Sequence, residues 1–249
     1  MKVWNFEKID KSGNPYCCKI QHIATNTEMG QLTCISANEA AGVIVCGFTS
    51  GTVEIIYNDI TRVKKSRIQT ICNETSPITG LAIKYRNGTI VVFVTTSNCV
   101  FSIYWNFKEQ KSFKNVIDDS FGCGLGCSTL GNYLVKNQFF VAFKNMISYC
   151  YDDIKAESIP TFGNTIQIFY VRGFIIALWD EKSPQIVTEA RLVDYKRLSK
   201  VQNITIYDIR NELIAYSNLL PPVLGIVEEF GFICLILNNG EVFCLIFNF

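Results

Sequence analysis

A turn signal recurs along this chain at a nearly constant interval. Ser50-Gly51, Ser97-Asn98, Lys144-Asn145 and Asn239-Gly240 each separate one apolar run from the next. Measured at the second residue of each pair, the first two intervals are 47 residues and the third is 95, close to double. Gly and Asn tolerate positive φ, so the pairs predict two-residue hairpin turns of type I′ or II′. A period of about 45 residues, with four short strands in each unit, is the sequence sign of a β-propeller. The expected fold class is therefore all-β: a WD40-like β-propeller, partial, with about four full blades and incomplete blades at the two ends.

The runs themselves support this reading. Val43–Phe48, Ile90–Val94, Phe139–Phe143, Phe174–Trp179 and Phe232–Leu237 are almost continuously apolar. Each is too short for a confident helix and suits a strand covered on both faces. Arg172–Leu178 and Phe230–Ile236 echo each other in sequence. Upstream of four of the runs lie segments carrying small residues: Leu32–Ile35, Ile78–Leu81, Gly122–Leu125 and Val223–Ile226. They are expected to be first, innermost strands, where small side chains fit the taper. The blade map is then 31–75, 76–120, 121–164 and 165–220, with three further strands over 222–247 and two N-terminal strands over 1–8 and 16–24. Residues 1–249 read as one domain. Two N-terminal and three C-terminal strands do not sum to one blade, so a truncated chain with blades missing upstream is expected. The fourth blade is long because of an insertion at 181–201, a mixed-charge surface loop.

Composition excludes several classes. Lys and Arg total 23 against 22 acids, a net charge of +1, which offers no global basic field for nucleic acid. Hydrophobic residues reach 49%, too many for a disordered chain. No uncharged apolar stretch of about 18 residues predicts a membrane-spanning helix. The N-terminus, with Glu7 and Lys8 arriving early, does not read as a signal peptide.

The chain has 11 cysteines, most of them inside apolar runs. They read as reduced core thiols of a cytosolic protein. No Cys-x-x-Cys occurs and His22 is the one histidine, so neither a zinc site nor a His-dependent triad is expected. Gly122-Cys123-Gly124-Leu125-Gly126 resembles a phosphate loop, but Cys127–Asn132 does not read as the helix such a loop needs. Three Asn-x-Thr sequons, at Asn73, Asn87 and Asn203, read as chance without a secretory signal. No cofactor and no small-molecule substrate are expected.

Several segments resemble a known family. They are Met1–Lys8 with Gly13-Asn14-Pro15, Gly47–Val53, Asn58–Arg62 and Pro77–Ala82. The more diagnostic ones are Phe121–Leu125 with Cys127-Ser128, and Ile206-Tyr207-Asp208 with Ile214–Ser217. In this order they resemble the N-terminal propeller of the vacuolar protein sorting-associated protein 11 family, a core subunit of the HOPS and CORVET tethering complexes. The resemblance implies a non-enzymatic scaffold in docking and fusion of endosomal and lysosomal (vacuolar) membranes. It also implies a cytoplasmic chain, peripheral on those membranes, with the other class C core subunits as partners. The family's α-solenoid and RING zinc domain are not in this sequence, and most of the family's subunit interfaces belong to those parts.

Other readings are a WD40-like adaptor of a different cytosolic complex, with Trp4-Asn5 and Tyr207-Asp208 at dipeptide positions, and a propeller glycosidase. The glycosidase needs facing carboxylates, whereas Asp118-Asp119, Asp152-Asp153 and Glu228-Glu229 are adjacent pairs, which point to opposite faces of a strand. Candidate contact residues are Arg62, Lys64, Lys65 and Arg67, a basic run suited to anionic lipid, and Lys196 and Arg197 in the insertion.

Overall fold

The computed structural model describes residues 2–19, 30–58, 60, 66–86, 88–131, 138–143, 146–151, 154–161, 164–171, 173–180, 202–208, 213–220, 223–229, 232–237 and 239–246. Among the described residues there are 21 strands and no helix. Strands β1 (Lys2–Ile9) and β2 (Pro15–Lys19) form a two-stranded ribbon. The first four-stranded blade is β3 (Leu32–Asn38), β4 (Val43–Phe48), β5 (Thr52–Tyr57) and β6 (Arg67–Asn73). The second is β7 (Ile78–Arg86), β8 (Thr89–Thr96), β9 (Val100–Asn106) and β10 (Lys111–Asp118). The third is β11 (Ser128–Gly131), β12 (Gln138–Phe143), β13 (Met146–Tyr151) and β14 (Ile154–Pro160). The fourth is β15 (Asn164–Val171), β16 (Phe174–Asp180), β17 (Gln202–Asp208) and β18 (Leu213–Leu220). A three-stranded sheet comes last: β19 (Val223–Glu229), β20 (Phe232–Leu237) and β21 (Val242–Ile246).

Within every sheet, sequence neighbours pair antiparallel. This repeated meander is the β-propeller blade, and the four complete blades fall within the ranges expected from the turn period. The chain divides into two compact units, 1–119 and 120–249.

In the first unit, β4 and β5 are buried at every position. Strand side chains alternate between faces, so each strand feeds two cores. Val43, Val45, Val53 and Ile55 join Ile78, Ile90, Val92, Phe101 and Trp105 of the second blade. On the opposite face Ile44, Cys46, Phe48 and Ile56 cluster with Ile60 and Ile68. Each fully buried aliphatic side chain contributes about 1.5–3 kcal/mol. Trp105 is fully buried between Tyr57, at 4.8 Å between ring centroids, and Phe107, at 4.6 Å. Gly47 permits the close approach of the two blades, because a Cβ there would meet Ile78 at 2.6 Å and Cys34 at 2.8 Å.

In the second unit, Ile176, Leu178, Ile204 and Ile206 of the fourth blade pack with Ile233, Leu235 and Leu237 of β20. Phe140 of the third blade stacks on Tyr170 of the fourth, 6.0 Å apart and 13° from parallel. The Trp179 indole N–H donates to the Thr205 hydroxyl at 3.0 Å, which satisfies the one polar atom of a buried ring.

Two local expectations are corrected. The turns after β4 and β20 are not two-residue primed turns. Gly51 N–H donates to the Phe48 carbonyl and Gly240 N–H to the Leu237 carbonyl, both at 3.1 Å, with φ of +86° at each glycine. That is a three-residue loop, a type I turn closed by a left-handed glycine. At Ser97-Asn98 neither residue has positive φ. The loop does have two residues, since Thr96 N–H donates to the Cys99 carbonyl at 2.9 Å, and the Thr96 hydroxyl accepts the Asn98 and Cys99 N–H groups. Lys144-Asn145 lies outside the described residues.

The second correction concerns Gly122–Leu125, which is not the first strand of its blade. That strand is β11, beginning at Ser128. Cys127 N–H donates to the Gly124 carbonyl at 3.2 Å, and Gly126 has φ +77°, a turn that holds the segment out of the sheet. The turn has a packing role: Gly126 carbonyl accepts Ile168 N–H of β15 at 3.0 Å, and Cys127 carbonyl accepts Ala142 N–H of β12 at 2.8 Å. The strand expected over 16–24 is observed as β2 up to Lys19, while residues 20–29, with His22, lie outside the described residues, as does the insertion 181–201.

Truncating Trp105 to Ala should lower unfolding free energy by about 3–5 kcal/mol, read from urea denaturation. Gly51→Ala should destabilise by more than about 1 kcal/mol, because a Cβ would meet the Glu74 and Ser76 backbone and positive φ disfavours any L side chain. An unchanged midpoint for either variant would contradict the packing described.

Candidate interaction surface

The outer strand of the second blade combines features of a contact surface. β10 is the edge of its sheet, and Lys111–Lys114 are all exposed. Lysines on an edge strand resist edge-to-edge pairing. Its two faces differ. Ser112 and Lys114 turn to the first blade: Ser112 Oγ donates to the Ile71 carbonyl at 3.0 Å, and Lys114 Nζ pairs with Glu74 Oε1 at 2.6 Å. Lys114 Nζ also lies 4.3 Å from the Phe101 ring centroid. Beside them Gln69 Nε2 donates to the Gln110 carbonyl at 2.9 Å. Partly exposed ion pairs of this kind contribute about 0–1 kcal/mol, so they set alignment more than stability.

The other face is open. Phe113 is 67% exposed and leans on Tyr104, its register partner, at 6.5 Å between centroids. Lys111, two positions away on the same face, is exposed, as is Lys108 in the preceding turn. Val116 is also half-exposed, on the alternate face. An aromatic ring flanked by lysines is suited to anchor a partner, since aromatic residues dominate interface energetics.

Of the basic residues singled out in the sequence, Arg67 alone lies among the described residues. Arg67 is exposed at the start of β6, opposite Tyr57. Arg62, Lys64, Lys65, Lys196 and Arg197 lie outside the described residues. Sequence reasoning missed Phe113. The signal was present in Lys111-Ser112-Phe113-Lys114-Asn115-Val116, where large apolar residues stand in an otherwise polar outer strand.

The buried titratable groups have the character of core residues. Burial pushes the Cys46 thiol up to about 12, with Glu54 and Cys34 adding repulsion. Cys72 is pushed up to about 12 by burial and its hydrogen bond to Glu74, and burial raises Cys127 further still. Glu54, in the middle of β5, is raised above its ordinary 4.5 by burial. Thiols held neutral are poor nucleophiles. Among the described residues no group of three or more His, Cys, Asp or Glu side chains is placed to hold a metal ion. No described helix is long and apolar enough to cross a membrane.

A family profile described as PEP5/VPS11 N-terminal matches residues 1–246. The chain belongs to this family. It is 30% identical over 245 residues to the human vacuolar protein sorting-associated protein 11 homolog and 29% to the mouse one. The Dictyostelium discoideum homolog is 24% identical over 276 residues. Each alignment covers 98% of this chain, but only 26–28% of the relative, so the chain spans about a quarter of these proteins' length. Among solved structures, Kuenenia stuttgartiensis hydrazine synthase superposes with a TM-score of 0.56 at 11% identity, covering 88% of this chain and 58% of that one. At that identity the likeness is one of fold alone.

Glu54 makes stability depend on pH with a definite sign. Its folded value is raised, so the native state binds the proton more tightly than the unfolded state. The penalty is absent below about pH 4.5, grows as pH rises through that value, and levels off above the folded value. Glu54→Gln should therefore raise the denaturation midpoint at pH 7 and change it little at pH 4. In the native protein, iodoacetamide should label exposed Cys17 well before buried Cys46 and Cys127, as read by peptide mapping.

Proposed function

We propose that residues 1–249 form one propeller domain of a non-enzymatic scaffold subunit in an endolysosomal membrane-tethering complex of the HOPS or CORVET type. The observation that carries this is the family match along residues 1–246, on a chain whose blades coincide with the repeat. The domain supports docking and fusion of late endosomal and vacuolar (lysosomal) membranes. It works by presenting rigid surfaces, with no chemistry of its own. The chain is cytoplasmic and peripheral on those membranes, and its partners are the other class C core subunits.

Two surfaces serve contact. One is the Phe113 and Lys111 face of β10. The other is the basic run Arg62, Lys64, Lys65 and Arg67, with Lys196 and Arg197 as a further cationic pair. Each basic residue close to an anionic leaflet contributes about 1 kcal/mol, and salt weakens it.

The deciding experiment is affinity isolation of the native chain from its own cells, with partners identified by mass spectrometry. Recovery of the class C core subunits is expected. Recovery of the chain without them would overturn the reading. Charge reversal at Arg62, Lys64, Lys65 and Arg67 together should lower sedimentation with phosphatidylserine vesicles at least tenfold at low salt. Sedimentation as strong as that of the unaltered chain would remove the lipid role from this run.

A further inference from the structure

The three-stranded sheet carries a pair of cysteines whose placement no scaffold role requires. Cys234 in β20 and Cys244 in β21 are directly opposite in register. Their sulfur atoms are 3.0 Å apart. β21 is the edge of its sheet, Cys244 is exposed and Cys234 half-exposed.

The register explains the closeness. Leu237 N–H donates to the Glu241 carbonyl at 2.9 Å, which makes that a hydrogen-bonded pair. Antiparallel pairs alternate, so Ile236 and Val242 are non-bonded, Leu235 and Phe243 bonded, and Cys234 and Cys244 non-bonded again. Non-bonded pairs bring Cα atoms to about 4.5 Å, within the span of about 4.4–6.8 Å that a disulfide bridges.

The face they occupy is the open one. Ile233, Leu235 and Leu237 point into the core of the second unit. The alternate positions, Cys234 and Ile236, face outward with Val242 and Cys244, and Val242 is 58% exposed. A soluble oxidant therefore reaches this pair, whereas Cys46 and Cys127 are enclosed.

We propose that Cys234 and Cys244 are a modification site, a dithiol that closes reversibly to a cross-strand disulfide with a low-molecular-weight disulfide such as glutathione disulfide as the oxidant. Cys244, the more exposed, attacks one glutathione sulfur as a thiolate. One glutathione leaves as thiolate, and Cys244 carries a mixed disulfide. Cys234 then gives up its proton and attacks Cys244 Sγ, forming the Cys234–Cys244 bond and releasing the second glutathione. The protein loses two electrons and two protons, and glutathione disulfide gains both to become two glutathione thiols. The bond locks β21 to β20 at a sheet edge that otherwise depends on one hairpin ladder.

The test treats the folded chain with glutathione disulfide, blocks remaining thiols with iodoacetamide, and maps peptides without reduction. The expected result is a single linked species joining the Cys234 and Cys244 peptides, lacking two hydrogens and reverting to two alkylatable thiols with dithiothreitol. In Cys244→Ser, the thiol at Cys234 should hold glutathione as a stable adduct, and in Cys234→Ser the thiol at Cys244 should do the same. The paired variants guard against a folding defect in either one. Independent alkylation of both cysteines in the treated wild-type chain, or persistence of glutathione on either, would overturn the proposal.

Discussion

Burial of both faces of the second and third strands of the first blade is the constraint on which the first unit depends. A lone four-stranded meander has one apolar face too many for water. In the first unit β4 and β5 resolve this by feeding alternate residues to two clusters, so neither strand has a solvent side. The distance between blades is then set by the smallest residue at the contact. Gly47 lets Ile78 approach, and Trp105 fills the space beyond it against Tyr57 and Phe107. In the second unit the stacking of Phe140 on Tyr170 and the turn at Gly126 play the corresponding part.

Where middle strands are spent on the core, recognition is left to the outer strands and to faces that no core covers. The cysteines divide along this line. Cys46 and Cys127 act as small apolar residues whose thiols are held neutral by burial. Cys234, on the middle strand β20, and Cys244, on the edge strand β21, lie instead on the open face of their sheet. Along the same line, β10 carries an exposed Phe113 with its lysines, while Ser112 and Lys114 on the opposite face align the strand with the first blade.

Fold and function separate cleanly in this molecule. The superposition with hydrazine synthase shows that the same architecture is shared at 11% identity. Family membership rests instead on sequence across residues 1–246. Phe121–Ser128, one of the segments that carry the family resemblance, is an inter-blade turn whose backbone bonds reach β12 and β15.

By itself the sequence determined the repeat, the blade boundaries and the buried runs. These are local properties: apolar alternation and turn residues at a fixed interval leave few other ways to bury 49% hydrophobic residues. Tertiary structure alone decided the rest. The turns at Gly51 and Gly240 take a three-residue form because the strand register requires it, and dipeptide composition does not encode register. Strand β11 starts at Ser128 because Gly126 is held by β15, a contact some 40 residues distant. The exposure of Phe113 depends on which neighbour a strand face meets. The apposition of Cys234 and Cys244 depends on a pairing count from Leu237 and Glu241, and a shift of one residue would have turned the two sulfurs to opposite faces.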